Sequence, residues 1–257
     1  MPSPTSTAEL VASFTSEVTS RLEQLASQAR SGGLDDAIEL LSTAIAKGGV
    51  IHAFGTGHSE AFAMEIAGRA GGLIPTNKIA LRDVVLRGRR EVGSLPGSTL
   101  ERDPSVVDEL FALSPVGPDD VFVIASNSGV NGSVVGLALR AKETGHPVVA
   151  VTSICHTTGV QPKHPSGKRL SEVADVVIDN LAPYGDAVLE LPDGIGVGAI
   201  SSITAAFIAQ LLTIGTANRI AEAGGTPPLY ISANVPGGDE HNHSLENRYR
   251  DRIRRDA

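Results

Sequence analysis

The sequence is expected to fold as an α/β protein, a parallel sheet with helices on both faces and a helical hairpin ahead of it. Three observations predict this. Five short apolar runs of strand character recur along the chain: VIHAF (50–54), VFVIA (121–125), PVVAVTS (147–153), DVVID (175–179) and AVLEL (187–191). Helix-like runs lie between most of them, at 60–71, 133–144 and 168–174, with a longer one at 198–223. Two amphipathic helical stretches precede the first strand. Apolar strands alternating with helices are what a sheet buried on both faces requires.

The elements follow in order. Ser6-Thr7-Ala8-Glu9 has the pattern of a capping box, and Leu10, Phe14, Val18, Leu22 and Leu25 recur at helical spacing after it. That helix is expected to run to Arg30, where Ser-Gly-Gly stops it. A second helix carries Leu34, Ile38, Leu41 and Ile45 on one face and ends at Gly48-Gly49. The stretch 77–120 is the least regular, and RGRREVGSLPGSTLERDPS within it is expected to be a long loop. These signals divide the chain into a helical extension (1–33), a core domain (34–223) and a tail (224–257).

Composition narrows the function. At 257 residues there is room for one large α/β domain. Hydrophobic residues make up 41% and the mean hydropathy is +0.06, as in an ordinary globular core. A net charge of −8 argues against a nucleic-acid footprint, and the basic C-terminal NRYRDRIRRDA reads as a solvated helix. The single Cys155 excludes a disulfide framework and suits a reducing cytoplasm. MPSPTSTAEL has no charged-then-apolar signal pattern. Gly194–Asn218 carries no charge, but its interspersed Gly, Ser, Thr and Gln fit a buried helix, suited to a homodimer interface, better than a membrane span.

Two loops at strand ends stand out. Gly55-Thr56-Gly57-His58-Ser59-Glu60 follows the first core strand and opens a helix. Glu60 replaces the third glycine of a dinucleotide fingerprint, and the next strand-like piece ends in Asn77 rather than an acid. No Gly-Lys-Ser/Thr follows, so a P-loop is excluded as well. The second loop, Ala125-Ser126-Asn127-Ser128-Gly129-Val130-Asn131-Gly132-Ser133, also joins a clean strand to a helix. Either loop alone reads as an ordinary helix cap. Two such loops at the carboxyl ends of parallel strands converge, and together they point to phosphate binding by hydroxyls and backbone N–H groups.

G-T-G-x-S after the first strand and S-N-S-G-x-N-x-S after a later one resemble the sugar isomerase (SIS) domain, over roughly Leu34 to Asn218. The string HPSGKRLSEVADVVIDN (164–180) is similar to a bacterial branch of single-domain SIS proteins. The resemblance implies a three-layer αβα sandwich with a mostly parallel five-stranded sheet. It also implies a phosphosugar ligand, with Ser59, Ser126, Ser128 and Asn131 contacting the phosphate and Gly55, Thr56, Gly57, Asn127 and Gly129 completing the substrate loops. Asn131 stands where the family often has Thr.

Phosphosugar enzymes of this fold begin by removing a proton beside a carbonyl, which needs a placed base. The candidates are Glu60, Glu65 and His58. In phosphoheptose isomerases, which this stretch resembles, the catalytic Glu sits one turn later, where this chain has Arg69. Glu65 and Arg69 could instead form an ordinary i,i+4 ion pair, and Glu60 could serve as a helix N-terminal acid. His241 and His243, beside Asp239 and Glu240, could form a metal site or a polar loop. The resemblance implies a further option, a C-terminal histidine completing the neighbouring subunit's site. Cys155-His156 with His164 matches no standard zinc spacing and reads as loop.

Three readings follow. The layout resembles N-acetylmuramic acid 6-phosphate etherases and favours a lyase or dehydratase, which removes the C2 proton of an amino-sugar 6-phosphate and expels the C3 substituent. The etherases' G-T-S-G-R-L run is not reproduced. The alternative is an aldose–ketose isomerase, and the third is a phosphosugar sensor that catalyses nothing. No cofactor and no resident metal are expected, and neither is nucleic acid or membrane as a partner.

Overall fold

A computed structural model describes residues 6–192 and 194–255. Helix α1 (Thr7–Arg30) begins at a complete capping box: the Ser6 hydroxyl accepts from Glu9 N–H, and the Glu9 carboxylate accepts from Ser6 N–H. Helix α2 (Asp35–Ala46) follows. The core then runs β1 (Ile51–Gly55), α3 (Glu60–Ile66), β2 (Thr76–Ile79), α4 (Asp83–Leu86), α5 (Thr99–Arg102), α6 (Val106–Leu113) and β3 (Val121–Ala125). It continues with α7 (Gly132–Glu143), β4 (Val148–Thr152), α8 (Ile154–Gly159) and β5 (Val176–Asp179). A hairpin of β6 (Ala187–Glu190) and β7 (Gly196–Ala199) precedes α9 (Ser201–Glu222), and α10 (Gly238–Glu246) lies in the tail.

The five-stranded sheet has the order β2-β1-β3-β4-β5, and every pairing is parallel. Every residue of β1, β3 and β4 is buried, as strands covered on both faces must be. One face packs Ala53, Val123 and Val151 against α2, α3 and α9; the other packs Phe54, Ile124 and Ala150 against α6 and α7. The sheet grows in one direction from β1 to β2 and in the other from β1 to β3, so the chain reverses between β1 and β3. Such a reversal opens a crevice at the strands' carboxyl ends.

Several expectations need correction. AVLEL (187–191) is not in the main sheet: β6 pairs antiparallel with β7 in a separate hairpin. The fifth strand is β2, which runs from Thr76 into the irregular stretch 77–120, where α4, α5 and α6 also lie. Its Asn77 and Lys78 hid it, because an edge strand need not be apolar throughout. The helix expected over 60–71 ends at Ile66, just before Gly68 takes φ +77°. The run 168–174 is only a 3-10 turn at Leu170–Glu172.

The C-terminal NRYRDRIRRDA is not a solvated helix. After a 3-10 turn at Asn247–Tyr249 its arginines run under the sheet's edge, with the last two residues outside the described ones. Arg255 donates to the carbonyls of Ile74 and Thr76. Asn77 holds the segment from both sides, donating to Arg252 O at 2.5 Å and accepting from Arg254 N at 2.7 Å. Arg252 Nη2 reaches Asp120 at 2.6 Å. The Asp120 side chain is fully buried and also accepts from His52 Nε2, Val50 N and Gly117 N at 2.7–2.8 Å. Burial pushes this carboxyl up, but the donors of His52, Gly117 and Val50 outweigh it and bring it down to about 2. Burial holds His52 below its ordinary value, so the imidazole is neutral and donates through Nε2.

Helix α9 is long and apolar enough to cross a membrane by length and composition. It buries Thr204, Ala205, Ile208, Ala209, Leu212, Thr213 and Thr216 and packs on α1, α2 and α3. Gly215 lets Ile38 approach, since a Cβ there would lie 2.3 Å from Ile38 Cδ1. Both N-terminal helices therefore pack onto α9.

Candidate functional site

The two serine loops leave β1 and β3, the strands on either side of the reversal, and they do converge. Gly55 permits the first turn, because a Cβ there would lie 2.1 Å from the Ser59 carbonyl oxygen. Ser59 N–H donates to Thr56 O at 3.0 Å, which points His58 and Ser59 outward at the mouth of α3. In the second loop Ser126 is buried, and its hydroxyl accepts from Gly129 N–H at 3.1 Å. Gly129 takes φ +62° within a close cage of Thr152, Thr157 and Leu170.

Between the loops lies a small, narrow cleft. His58 and Ser59 line it from one side and Ser126 and Asn127 from the next, over a floor of Phe62, Ala125, Val151 and Ala205. Three further polar residues complete it: Asn180 after β5, and Ser201 and Ser202 at the start of α9. Asn180 Nδ2 donates to Asn127 Oδ1 at 3.1 Å and its Oδ1 accepts from Ala182 N at 3.0 Å, so both amides have fixed orientations. Asn127 thereby keeps its own Nδ2 for a ligand. Asp186 orders the start of α9 by accepting from Ser201 N and Oγ, each at 2.8 Å.

Asn180, Ser201 and Ser202 were missed by the sequence reading. Asn180 had a signal, a polar residue directly after an apolar strand. The serines had the weaker one of opening an uncharged helix.

Among the described residues the polar lining consists of hydroxyls, amides and one imidazole, with no lysine, arginine or carboxylate. Such a surface can hold an anion by oriented dipoles and can move a proton through His58. The carboxylate candidates lie to either side. Glu60 faces β2 and pairs with Arg82 at 2.5 Å and Lys78 at 3.5 Å. Glu65 pairs with Arg69 and accepts from Gln210 Nε2 at 2.6 Å, on the α9 side. The Glu65–Arg69 ion pair weighed from the spacing is thus present, although Arg69 lies beyond the end of α3.

Thr56, Ser128 and Asn131 do not line the cleft. Thr56 and Asn131 donate instead to Glu101, a residue of α5 within the segment expected to be a loop. Gly57 is exposed and takes φ +55°. His241 and His243 lie on α10, away from the cleft of their own chain, and His241 Nε2 donates to Leu229 O at 2.9 Å. Among the described residues no group of three or more His, Cys, Asp or Glu is placed to hold a metal ion. His156 stacks on Tyr184, with ring centroids 5.1 Å apart, and accepts from Gly185 N–H; His164 Nδ1 turns to Ser166.

The SIS domain family matches residues 13–153. A UPF0309 protein of Geobacillus sp. (strain WCH70) is 34% identical, with 95% of this chain and 97% of that protein covered. One from Listeria monocytogenes serovar 1/2a is 37% identical over 92% of this chain and 94% of its own. Among solved structures, a phosphoheptose isomerase from Francisella tularensis superposes with a TM-score of 0.53 at 15% identity, covering 82% of this chain and 98% of that one. Another, from Neisseria gonorrhoeae, gives a TM-score of 0.51 at 21% identity, with the same 82% and 98% covered. At these identities the superpositions establish the shared fold. Sequence and fold together place the chain in the SIS-domain family, beside the UPF0309 proteins.

Proposed function

We propose that the cleft seats the phosphate end of a phosphorylated sugar and that the chain is a phosphosugar enzyme. One observation carries this reading. Ser59, Ser126, Asn127, Asn180, Ser201 and Ser202, delivered by three strand ends and a helix start, meet at the topological reversal of a parallel sheet around a cleft that no described carboxylate lines. A phosphate ester there replaces water with neutral donors from Ser59, Ser126, Asn127 and Ser202, while the Ser201 hydroxyl is spent on Asp186.

The reaction favoured is elimination on an open-chain amino-sugar 6-phosphate such as N-acetylglucosamine 6-phosphate. A base takes the C2 proton, the C2–H pair becomes the C2=C3 bond, and the C3–O bond breaks with a proton delivered to the leaving oxygen. His58 lines the cleft and is assigned the proton transfer to oxygen. Glu65 is proposed as the base, released from Arg69 when substrate binds, with Glu60 as the alternative. Isomerisation between aldose and ketose is the second reading. The two phosphoheptose isomerases of the same fold favour it, and it needs the same C2 base with His58 shuttling a proton between O1 and O2.

Incubation in deuterated water with N-acetylglucosamine 6-phosphate, N-acetylmuramic acid 6-phosphate and sedoheptulose 7-phosphate, followed by mass spectrometry, separates the readings. Loss of water or lactate that disappears in the Glu60→Gln/Glu65→Gln double variant supports elimination by a carboxylate base. Deuterium uptake without mass loss supports isomerisation. Binding without exchange on any substrate refutes both and leaves a sensor.

A further inference from the structure

Thr56 and Asn131 belong to different strand-end loops, yet they meet on one oxygen atom. Glu101 Oε1 accepts from Thr56 Oγ1 at 2.9 Å and from Asn131 Nδ2 at 2.5 Å. The backbone carbonyl of Glu101 accepts from Ser133 Oγ at 2.8 Å, in the first turn of α7. Ser133 is fully buried. The approach of α5 to α7 also depends on Gly132, where a Cβ would lie 2.2 Å from the Arg102 carbonyl oxygen. Glu101 is therefore set by its backbone against the start of α7 before its side chain spans the loops.

The partners of this carboxylate differ from those of the other two glutamates nearby. Glu60 and Glu65 are held by cations, whereas Glu101 gathers neutral donors. One oxygen that accepts from both loops at once fixes side chains that would otherwise rotate. It also dictates the orientation of Asn131, whose Nδ2 is spent on Glu101 while its Oδ1 stays buried without a partner. Asn131 thus acts as a strut between the loops, where a phosphate contact was expected.

We infer that Glu101 is a positioning residue for the cleft: it clamps the β1 and β3 loops in one register through Thr56 and Asn131, so that Ser59, Ser126 and Asn127 face the ligand together. This rests on the phosphosugar reading for its consequence, since the ligand is what the aligned donors would hold. The clamp needs an acceptor oxygen at Oε1 rather than a negative charge as such, so glutamine can replace glutamate.

The test compares wild type, Glu101→Ala and Glu101→Gln. Calorimetric titration uses N-acetylglucosamine 6-phosphate and inorganic phosphate as probes, and amide hydrogen exchange follows residues 55–60 and 125–131 without ligand. The alanine variant is expected to weaken probe binding about tenfold, the loss that goes with one to two misaligned hydrogen bonds, and to speed exchange in both loops. The glutamine variant is expected to stay within about threefold of wild type and to restore slow exchange. In the deuterium assay the alanine variant raises KM more than it lowers kcat. Equal or tighter binding by Glu101→Ala overturns the clamp, as does a glutamine variant as impaired as the alanine one. If wild type binds neither probe, the phosphosugar reading fails. The clamp is then decided by exchange alone, and unchanged loop exchange in Glu101→Ala overturns it.

Discussion

Asp120 offers the sharpest test of how the sheet is held together beneath the cleft. Its fully buried carboxylate accepts from Val50 N and His52 Nε2 at 2.8 Å, Gly117 N at 2.7 Å and Arg252 Nη2 at 2.6 Å. Asp120→Ala strands four donors, one of them charged, and breaking a buried pair from one side costs about 3–5 kcal/mol. For a chain of this size that lowers the melting temperature by roughly 6–20 °C.

Asp120→Asn removes the charge and also turns an NH2 against two of the four donors, since each oxygen accepts two, so its change in pH dependence is what reports the charge. The carboxyl is depressed from 3.8 to about 2, which at roughly 1.4 kcal/mol per unit contributes about 2 kcal/mol at neutral pH. Because the folded value lies below the unfolded one, this contribution is complete above pH 3.8 and is lost as the pH falls through about 2. Urea unfolding of wild type and both variants, followed by circular dichroism from pH 7 to pH 2, provides the measurement. A Cm for Asp120→Ala that implies less than about 1 kcal/mol of destabilisation would refute the reasoning. So would a wild-type loss of stability below pH 4 that Asp120→Asn reproduces in full.

The other predictions are direct. Ser59→Ala and Ser126→Ala should each weaken N-acetylglucosamine 6-phosphate binding by about tenfold in calorimetry with little change in melting temperature; unchanged affinity for both would remove the phosphate reading. His58→Ala should leave that binding near wild type while abolishing product formation in the deuterated-water assay. Gly132→Ala should be destabilised by about 1–3 kcal/mol in urea, because its Cβ would lie 2.2 Å from the Arg102 carbonyl oxygen. Neutral burial of His52 adds stability that is complete above pH 6.5 and falls as the pH drops below it, so His52→Gln should flatten the change in Cm between pH 7 and pH 5.

What could be read beforehand followed from local chemistry. β1, β3 and β4 are mostly apolar and buried at every position because both faces are covered, and each is followed by small residues, most of them polar. The two serine loops were therefore visible as a pair, and Ser59, Ser126 and Asn127 do meet in the cleft. β2 was hidden because an edge strand tolerates Asn77 and Lys78, and here Asn77 is spent on the returning tail. AVLEL looked like a core strand because a short apolar run carries no record of its partner; its neighbour proved to be the glycine-rich β7.

The sequence by itself determined the α/β class, the capped first helix and the hydroxyl-rich loops, since periodicity, capping and turn chemistry act over a few residues. Only the tertiary structure decided which side chains share the cleft, bringing Asn180, Ser201 and Ser202 to it from distant segments. It also bound Glu60 to Arg82, set Glu101 between the loops and drew Arg252 to a buried Asp120. These are contacts between residues tens to more than a hundred positions apart. No local pattern encodes them, because each partner's role depends on where the sheet order β2-β1-β3-β4-β5 delivers the other.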